Sequence, residues 1–505
     1  MVSNEATTGT EPVDGRDAVS RKAEKATWRM TRGERARYQL GYAGYSIGFN
    51  IVAYFMTMFL MFQSVNLAVV GSLIFIVKAI DAVDDLLFGY FIDRVNPARL
   101  RFLRKIAGSG KYLPWYRVTF SLLPLSTVIF FAMPGGVSVG VKIAWFAVAY
   151  LLYDLAATLS QVPMQAMVVT LTDKVTERDS ILKFRGLWAV AVAVLSGLVW
   201  QSLVSEFVGW SVAGVAIGSA VVVLIMLVPL ARKVTEYNVE LKSASPETTP
   251  AYTVREMFKA VRLNKPMLII LASDMVSGAT LTMVTTNVFA AFYLFDNSLI
   301  LQVPVLFAFV PALILQFFAD RIAHAIGKRN AIVGFGLLGS ICGITLFFVG
   351  HGNLYLVIFL MAIQGVPVSV NLVLRSFLVP DTVEYARYKT GQDCTAIFFA
   401  MDSFSTKLVG GVAPAVAMFI LGLGGWVTVK ADSFADLAAH GVAQPAGALT
   451  ALWITVSLIP AVGALVCSVV LMFYRLRDED AALMARCNSG DITREECEAQ
   501  LSRAY

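Results

Sequence analysis

The run Lys78-Ala-Ile-Asp-Ala-Val-Asp-Asp85 lies near the middle of an apolar segment, 66–92, that is long enough to cross a bilayer. If this segment is a membrane helix, its charges lie about 15 Å deep. Each charge there costs about 2.5–3.5 kcal/mol even on lenient insertion scales. Asp81, Asp84 and Asp85 are spaced i, i+3 and i+4, so they share one helix face, with Lys78 one turn before them. Charges at such depth usually face a bundle interior and bind an ion or a substrate.

The composition of the whole chain is that of a polytopic membrane protein. Hydrophobic residues make up 57% of the 505 positions, and the mean hydropathy is +0.69. The sequence therefore predicts an all-α membrane protein. The twelve predicted transmembrane segments are 38–62, 66–92, 113–133, 138–163, 184–206, 210–231, 266–295, 299–319, 331–350, 353–378, 394–424 and 448–474.

Basic residues predict the orientation. With both termini in the cytoplasm, 37 of the 41 Lys and Arg residues fall on the cytoplasmic side, as the positive-inside rule requires. The net charge of +6 thus reflects topology and gives no support to nucleic-acid binding. The first 37 residues lack the apolar core of a cleavable signal peptide. We expect a multi-pass protein of the cell (inner) membrane.

A polar stretch that includes Lys242-Ser-Ala-Ser-Pro-Glu-Thr-Thr-Pro250 separates six predicted spans from six. Paired halves are how many carriers build a central site that opens alternately to either side. The predicted organisation is a cytoplasmic tail, a six-helix half, a cytoplasmic linker, a second six-helix half and a cytoplasmic tail, at 1–37, 38–231, 232–265, 266–474 and 475–505.

The two halves carry matching charged pairs. Asp93-Arg94 ends the second span and Asp320-Arg321 ends the eighth, and basic residues follow each pair. Such pairs can be ordinary charged residues at a helix end. Their matched positions resemble the major facilitator superfamily, and this resemblance implies inter-helix salt bridges that break as the halves rock.

The charges inside the membrane do not balance. Only Lys78 and Lys407 are available to neutralise three acids on one face, so a pure ion-pair network leaves a negative charge over. A cation, Na⁺ or H⁺, is the natural missing charge, and we expect it as a coupling ion with no other cofactor. In the fourth span, the Thr158 hydroxyl can ligate Na⁺ or can bond to its own helix backbone.

Further polar residues are candidates for substrate contact. Asp154 lies one turn before Thr158, and Gln161 shares their helix face. Arg185 and Arg375 each touch a substrate or, as a lone Arg in a span usually does, anchor at the headgroups. Asp274 and Asp402 are further intramembrane acids for which the sequence shows no partner.

Two blocks of sequence resemble a known family. Asp81-Ala-Val-Asp-Asp85 and Gly110-Lys-Tyr-Leu-Pro-Trp115 are similar to the Asp-Ala-x-x-Asp-Pro and Gly-Lys-x-x-Pro-Trp signatures of the glycoside-pentoside-hexuronide:cation symporters, typified by melibiose permease. Asp381-Thr-Val-Glu-Tyr-Ala-Arg-Tyr-Lys-Thr-Gly391, followed by Lys407, is similar to a second family block.

The resemblance implies a role for individual positions. Asp81, Asp85 and Thr158 match the family's cation ligands, and Lys407 matches the lysine beside them. The positions that depart from the family pattern are Asp84 for Asn, Leu86 for Pro, Gly44 and Gln161 for substrate-binding acids, and Gln165 for an aromatic residue.

We therefore expect a cation-coupled secondary transporter of a small organic solute, a sugar or glycoside by family analogy, whose partners are substrate, cation and membrane lipids. One alternative is a carrier of the same fold for an anionic or amphipathic non-sugar solute. Another is an intramembrane Mg²⁺-dependent prenyltransferase. For that enzyme, Asp81-x-x-Asp-Asp85 would pair with a second cluster at Asp173-x-x-x-Glu-x-Asp179.

Overall fold

A computed structural model describes residues 28–94, 97, 103–172, 174–237, 262, 264–308, 325–391 and 395–503. At some positions within the helices, 82–94 among them, only the backbone is described. The regular secondary structure in these ranges is helical apart from one isolated antiparallel bridge, Gln63 to Lys430.

The described part of the first half contains eight α-helices: α1 (Arg32–Met61), α2 (Leu67–Arg94), α3 (Arg104–Ala107), α4 (Leu113–Thr119), α5 (Leu122–Phe131), α6 (Val139–Leu171), α7 (Val175–Val204) and α8 (Val212–Lys233). The described part of the second half contains α9 (Lys265–Ser277), a 3₁₀ turn (Gly278–Leu281), α10 (Thr282–Phe295), a helical stretch at 302–308, α11 (Lys328–Val349), α12 (Leu354–Thr390), α13 (Thr395–Leu423), α14 (Phe434–His440), α15 (Ala446–Val456) and α16 (Leu458–Met472). Two further helices, α17 (Asp478–Ser489) and α18 (Arg494–Gln500), follow.

Within the described ranges, nine helical segments are long and apolar enough to cross a membrane. Three predicted spans, 113–133, 266–295 and 448–474, are each built from two helices. Pro124 and Pro460 explain two of these breaks, because proline lacks an N–H and clashes with the carbonyl four residues earlier. The first break follows Thr119 and the second follows Val456, so each lies at or next to the residue four positions before the proline.

Other helices run beyond their apolar part. α1 begins at Arg32, where Thr31 and Glu34 form a capping box. α6 continues past Pro163, and the Leu159 carbonyl that this proline leaves free accepts a hydrogen bond from Thr119 Oγ1 at 3.1 Å. Hydropathy alone could not find these polar extensions, because it detects only the segment that lipid surrounds.

Small residues let α1 approach α8 closely. Gly41, Gly44 and Gly48 form a stripe on α1, and a Cβ at Gly41 would lie 2.6 Å from the Leu230 side chain of α8. At Gly44 it would lie 2.8 Å from Met226. Small residues at such a seam are typical of membrane helices, which associate by close packing.

The helix ends define two faces of the bundle. We call the face that holds Arg32, Lys233 and α17 the terminal face, and the face that holds Met61 and Leu67 the distal face. At the distal face, Ser64 N donates to Val429 O at 3.1 Å and Val212 N donates to Asp432 O at 2.8 Å. The segment between α13 and α14 thus joins the second half to the first.

Candidate functional site

A cavity of about 410 Å³ lies between the two halves. Its wall comes from α1, α2 and α6 on one side and from α10 and α13 on the other. Aromatic and apolar side chains form much of the wall. The polar residues among its lining are Thr57, Lys78, Asp81, Asp154, Thr158, Gln161, Thr285, Thr406 and Lys407, together with the tyrosines Tyr54, Tyr150 and Tyr153.

Asp81 bonds to three other side chains of this wall. The residue is 3% exposed, and Lys78 Nζ, one turn earlier on α2, donates to its Oδ2 at 3.0 Å. Lys407 Nζ of α13 donates to Oδ1 at 2.5 Å. Tyr150 OH of α6 donates to Oδ2 at 3.4 Å, and the Lys78 ammonium lies 5.2 Å from the centre of the same tyrosine ring. Three helices from both halves therefore meet at one carboxylate.

One face of α6 supplies further oxygen atoms. Asp154 and Thr158 lie one and two turns after Tyr150, are 5% and 3% exposed, and line the cavity. Gln161 continues this face and also lines the cavity. The structure therefore brings Asp154, Thr158 and Gln161 to the same cavity as Asp81 and Lys407.

Several predicted site residues lie where only part of the chain is described. Asp84 and Asp85 follow Asp81 on the helical backbone of α2, so their positions i+3 and i+4 place them on the same helix face as Asp81. Their side chains lie outside the described part. Asp93 and Arg94 end the same helix, and their side chains also lie outside the described part. Their proposed counterparts, Asp320 and Arg321, lie outside the described residues.

Three positions that the sequence links to substrate binding do not line the described cavity. Gln165 is exposed one turn beyond Gln161. The Arg185 guanidinium lies 5.4 Å from the centre of the Tyr42 ring, on the α1 side of α7. Gly44 faces α8, so a carboxylate there would meet Met226 rather than the cavity.

A second group of charges lies in the second half, and the sequence did not reveal it. Arg375 Nη2 of α12 lies 3.0 Å from Asp274 Oδ2 of α9 and 2.5 Å from Asp402 Oδ1 of α13. Interpreting Arg375 as a headgroup anchor is therefore wrong. Two intramembrane acids and one intramembrane arginine in separate spans were the available signal, because charges at this depth usually pair with one another.

The Gly-Lys-x-x-Pro-Trp motif builds a loop at the terminal face. Gly110 has φ +125°, and a Cβ there would lie 2.0 Å from Glu236 Oε2. The Glu236 carboxylate accepts from Lys111 N at 2.6 Å and from Tyr112 N at 3.1 Å. Only glycine fits this conformation and this approach, so the motif's glycine has a structural role.

Glu177, which a second Mg²⁺ cluster would need, is committed to local structure. Its residue is fully buried, and its carboxylate accepts from the backbone N–H groups of Arg29 and Met30 at 2.9 and 3.1 Å. Arg35 Nη1 bonds to the same carboxylate at 2.9 Å. These contacts join α1 and the segment before it to the first turn of α7, and they leave little of the carboxylate for a metal.

Comparison with known proteins agrees with this architecture. Residues 37–478 match the family described as MFS/sugar transport protein. The chain belongs to this family. It is therefore a multi-pass membrane transporter, and the recognised resemblance to the symporter family is confirmed. The prenyltransferase alternative is wrong, because the family and its members are transporters.

Individual relatives are distant but cover most of the chain. The isoprimeverose transporter of Lactiplantibacillus pentosus is 24% identical over 90% of this chain and 90% of its own length. The glucuronide carrier protein homolog of Escherichia coli (strain K12) is 24% identical over 90% and 94%. The sodium-dependent lysophosphatidylcholine symporter 1 of Xenopus tropicalis is 22% identical over 77% and 79%.

Among solved structures, a bacterial homologue of the human lysosomal transporter Spinster, in an inward-facing and unoccupied conformation, is similar to this chain with a TM-score of 0.59. It is 12% identical, and the match covers 89% of this chain and all of that one. This likeness shows the major facilitator fold.

Proposed function

We propose that this protein is a cation-coupled symporter that moves a sugar or glycoside by alternating access. The observation that carries the proposal is the pair Asp81–Lys407, which joins α2 of the first half to α13 of the second on the wall of a central cavity. A charge pair that spans the moving boundary can link the occupancy of a site to the arrangement of the halves.

The proposed coupling step is a competition for Asp81. Its carboxylate is bonded to the ammonium groups of Lys78 and Lys407. A cation that binds Asp81 takes over part of their role and frees Lys407, which then no longer holds α13 against α2. The coupling ion is Na⁺ or H⁺. The proposed ligands are Asp81, Asp84, Asp85 and Thr158, of which Asp81 and Thr158 line the cavity.

The proposed substrate site is the remainder of the cavity. Phe49, Tyr54 and Phe289 offer ring faces on which a sugar or aglycone can stack, and Gln161 and Asp154 offer hydrogen-bonding groups. Relatives named for isoprimeverose and for glucuronides support a glycoside as substrate. Arg185 and Gln165 lie outside the described cavity and remain proposed contacts for the substrate at an earlier stage of its entry.

The protein is proposed to lie in the cell (inner) membrane. Its terminal face is proposed to face the cytoplasm. The distribution of Lys and Arg supports this orientation. The halves at 38–231 and 266–474 are proposed to rock about the cavity, with 232–265 as the linker. Asp93-Arg94 and Asp320-Arg321 are proposed to pair at the cytoplasmic gate.

A second candidate, a carrier of an anionic or amphipathic non-sugar solute, is favoured by the combination of an apolar wall with two lysines. Val52, Met56 and Val288 border the same cavity as Lys78 and Lys407. The similarity to a lysophosphatidylcholine symporter supports this candidate as well.

Uptake by purified protein in proteoliposomes tests the proposal. Radiolabelled isoprimeverose, a phenyl glucuronide, melibiose and lysophosphatidylcholine are offered with an inward Na⁺ gradient, with a pH jump, or with neither. We expect saturable, gradient-dependent uptake of a glycoside that Asp81→Asn abolishes. Uptake that is independent of both gradients, or unchanged in Asp81→Asn, would show that the coupling proposal is wrong.

A further inference from the structure

The group Asp274, Arg375 and Asp402, which we call the charge triad, has an internal geometry of its own. A single guanidinium nitrogen, Arg375 Nη2, contacts Asp274 Oδ2 at 3.0 Å and Asp402 Oδ1 at 2.5 Å. Ser405 Oγ donates to the same oxygen of Asp274 at 2.7 Å. The two carboxylates thus converge on one donor from different helices.

The charges of the triad do not cancel. Two ionised carboxylates and one guanidinium leave a net charge of −1, and the three side chains are 8%, 15% and 24% exposed for Asp274, Arg375 and Asp402. Two carboxylates that share a buried site oppose each other's ionisation. In a membrane-embedded position, a lone surplus charge is costly, and one bound proton removes it.

Among the described residues, the other titratable groups near the triad do not supply this balance. On α16, the Cys467 thiol is buried close to Asp274 and Arg375, and it is neutral as a thiol. On α13, the next cation is Lys407, which is bonded to Asp81. The 3₁₀ turn after α9 contains no ionisable residue.

We propose that the charge triad is a second proton-binding site of this transporter, separate from the Asp81 site. Asp402 is the more exposed carboxyl and takes up the proton. Asp274 stays ionised, since its Oδ2 accepts from both Ser405 and Arg375. Because the two carboxyls interact, the binding of this proton to Asp402 depends on the charge of Asp274.

The triad is also connected to the cavity. Arg375 Nη1 donates to Thr406 Oγ1 at 3.2 Å, and Thr406 lines the cavity beside Lys407. Protonation of Asp402 removes one of the two acids that hold Arg375 and weakens the link between α12 and α13. Because α13 also carries Lys407, the proton is expected to change how readily this helix leaves α2. The site thus makes the transport cycle respond to pH even when Na⁺ is the coupling ion.

Infrared difference spectroscopy of the purified protein in lipid nanodiscs tests this proposal with the proton itself as the probe. Without substrate, the absorption of protonated carboxyl groups is followed as the pH is raised, and exchange into D₂O identifies the band. We expect the wild type to lose one such band on titration. Asp402→Asn and Asp274→Asn should each lack it, because each leaves one acid paired with one arginine.

Two controls separate this site from the coupling site and from the fold. Asp81→Asn should keep the titrating band even though it fails to transport, and this result would show that the triad binds its proton independently of the coupling site. Thr406→Val, which removes only the hydroxyl that bonds to Arg375, should keep the band and lose the pH response of transport. If the band survives in both triad variants, or if the wild type shows no titrating carboxyl, the triad is a permanently charged ion pair and the proposal is overturned. The double variant Asp274→Asn/Asp402→Asn isolates an unpaired Arg375 and should unfold at a lower temperature than either single variant.

Discussion

Lys407 on α13 donates to Asp81 on α2 at 2.5 Å, across the boundary between the two halves of the bundle. The same two helices pack closely towards the distal face, where a Cβ at Gly411 of α13 would lie 2.6 Å from Lys78 Cβ. The ion pair therefore lies on a seam that has little room to adjust. Any change in the charge of Asp81 acts directly on this seam.

The first prediction concerns Asp81→Asn. Removal of this carboxylate takes away the proposed cation ligand and leaves two buried ammonium groups without their common partner, so we expect gradient-driven uptake to be lost. If Na⁺ is the coupling ion, it should raise the unfolding temperature of the wild type and not that of Asp81→Asn. Asp296→Asn is the matched control. Asp296 is exposed with φ 52°, a conformation that asparagine tolerates well. Normal accumulation of substrate by Asp81→Asn would contradict the assignment.

Asp84→Asn is expected to be milder than Asp81→Asn, because asparagine keeps an oxygen ligand and is the usual residue of the resembled family there. Uptake assays of the two variants at equal membrane expression make the comparison. A loss of coupling in Asp84→Asn as complete as in Asp81→Asn would indicate that Asp84 is an essential ligand.

A further prediction concerns Lys407→Ala. Breaking a buried ion pair by removing one partner costs about 3–5 kcal/mol when the other charge is left unpaired. Asp81 keeps its bond to Lys78 in this variant, so we expect a smaller loss of stability. A proton can replace the lost positive charge at Asp81, so we expect weaker coupling and residual uptake that favours acidic pH. The variant Lys407→Ala/Asp81→Asn should lose less stability than the two single losses added together. An unchanged pH profile in Lys407→Ala would argue against the pair.

The sequence predicted the first charge cluster and missed the second for a physical reason. Asp81 and Lys78 share a helix, and a fixed helical period places them on one face whatever the tertiary packing. Asp274, Arg375 and Asp402 lie on three helices, and their contact depends on how those helices are arranged. Similarly, matching Gly44 to a substrate acid relied on sequence position, whereas the rotation of α1 turns Gly44 towards α8.

Movement at the distal face can be tested by a reversible cross-link. Gln63 and Lys430 form an antiparallel bridge between the halves. Paired residues of this kind have Cα atoms roughly 4.5–5.5 Å apart, within the range that a disulfide spans. On a cysteine-free background, we expect Gln63→Cys/Lys430→Cys to lose uptake on oxidation and to regain it on reduction. Each single cysteine variant should be insensitive, and full uptake by the cross-linked protein would show that this face need not open.

The loop at Gly110 gives a prediction about stability. Gly110→Ala places a Cβ 2.0 Å from Glu236 Oε2 and forces alanine to φ +125°. The backbone strain alone costs about 1–3 kcal/mol, so we expect a lower unfolding temperature of the purified protein. Gly218→Ala in α8 is the control, because nothing lies within 4 Å of its Cβ position, and alanine in a helix is better than glycine by about 0.5–1 kcal/mol. Equal unfolding temperatures for the two variants would contradict the described loop.

The last prediction asks which positions can form a sugar site. The resembled family has acids where this chain has Gln161 and Gly44, and carboxylates accept strong hydrogen bonds from sugar hydroxyls. Gln161 lines the cavity, so Gln161→Asp is expected to strengthen the binding of hexosides such as melibiose, whereas the wild type should bind them poorly. Gly44→Asp should give no gain, because its side chain would press into Met226 of α8.

Gln165→Asp serves as the control for charge alone, since it adds a carboxylate at an exposed position outside the described cavity. Gln165 is proposed as a contact during substrate entry only, so the added carboxylate would not hold the bound sugar. Equilibrium binding of radiolabelled melibiose to the purified variants, with and without Na⁺, measures the difference. Robust melibiose binding by the wild type would mean that Asp154 or another cavity group already replaces the missing acid. An equal gain in Gln161→Asp and Gln165→Asp would show that a general electrostatic effect, and not a directed hydrogen bond in the cavity, is responsible.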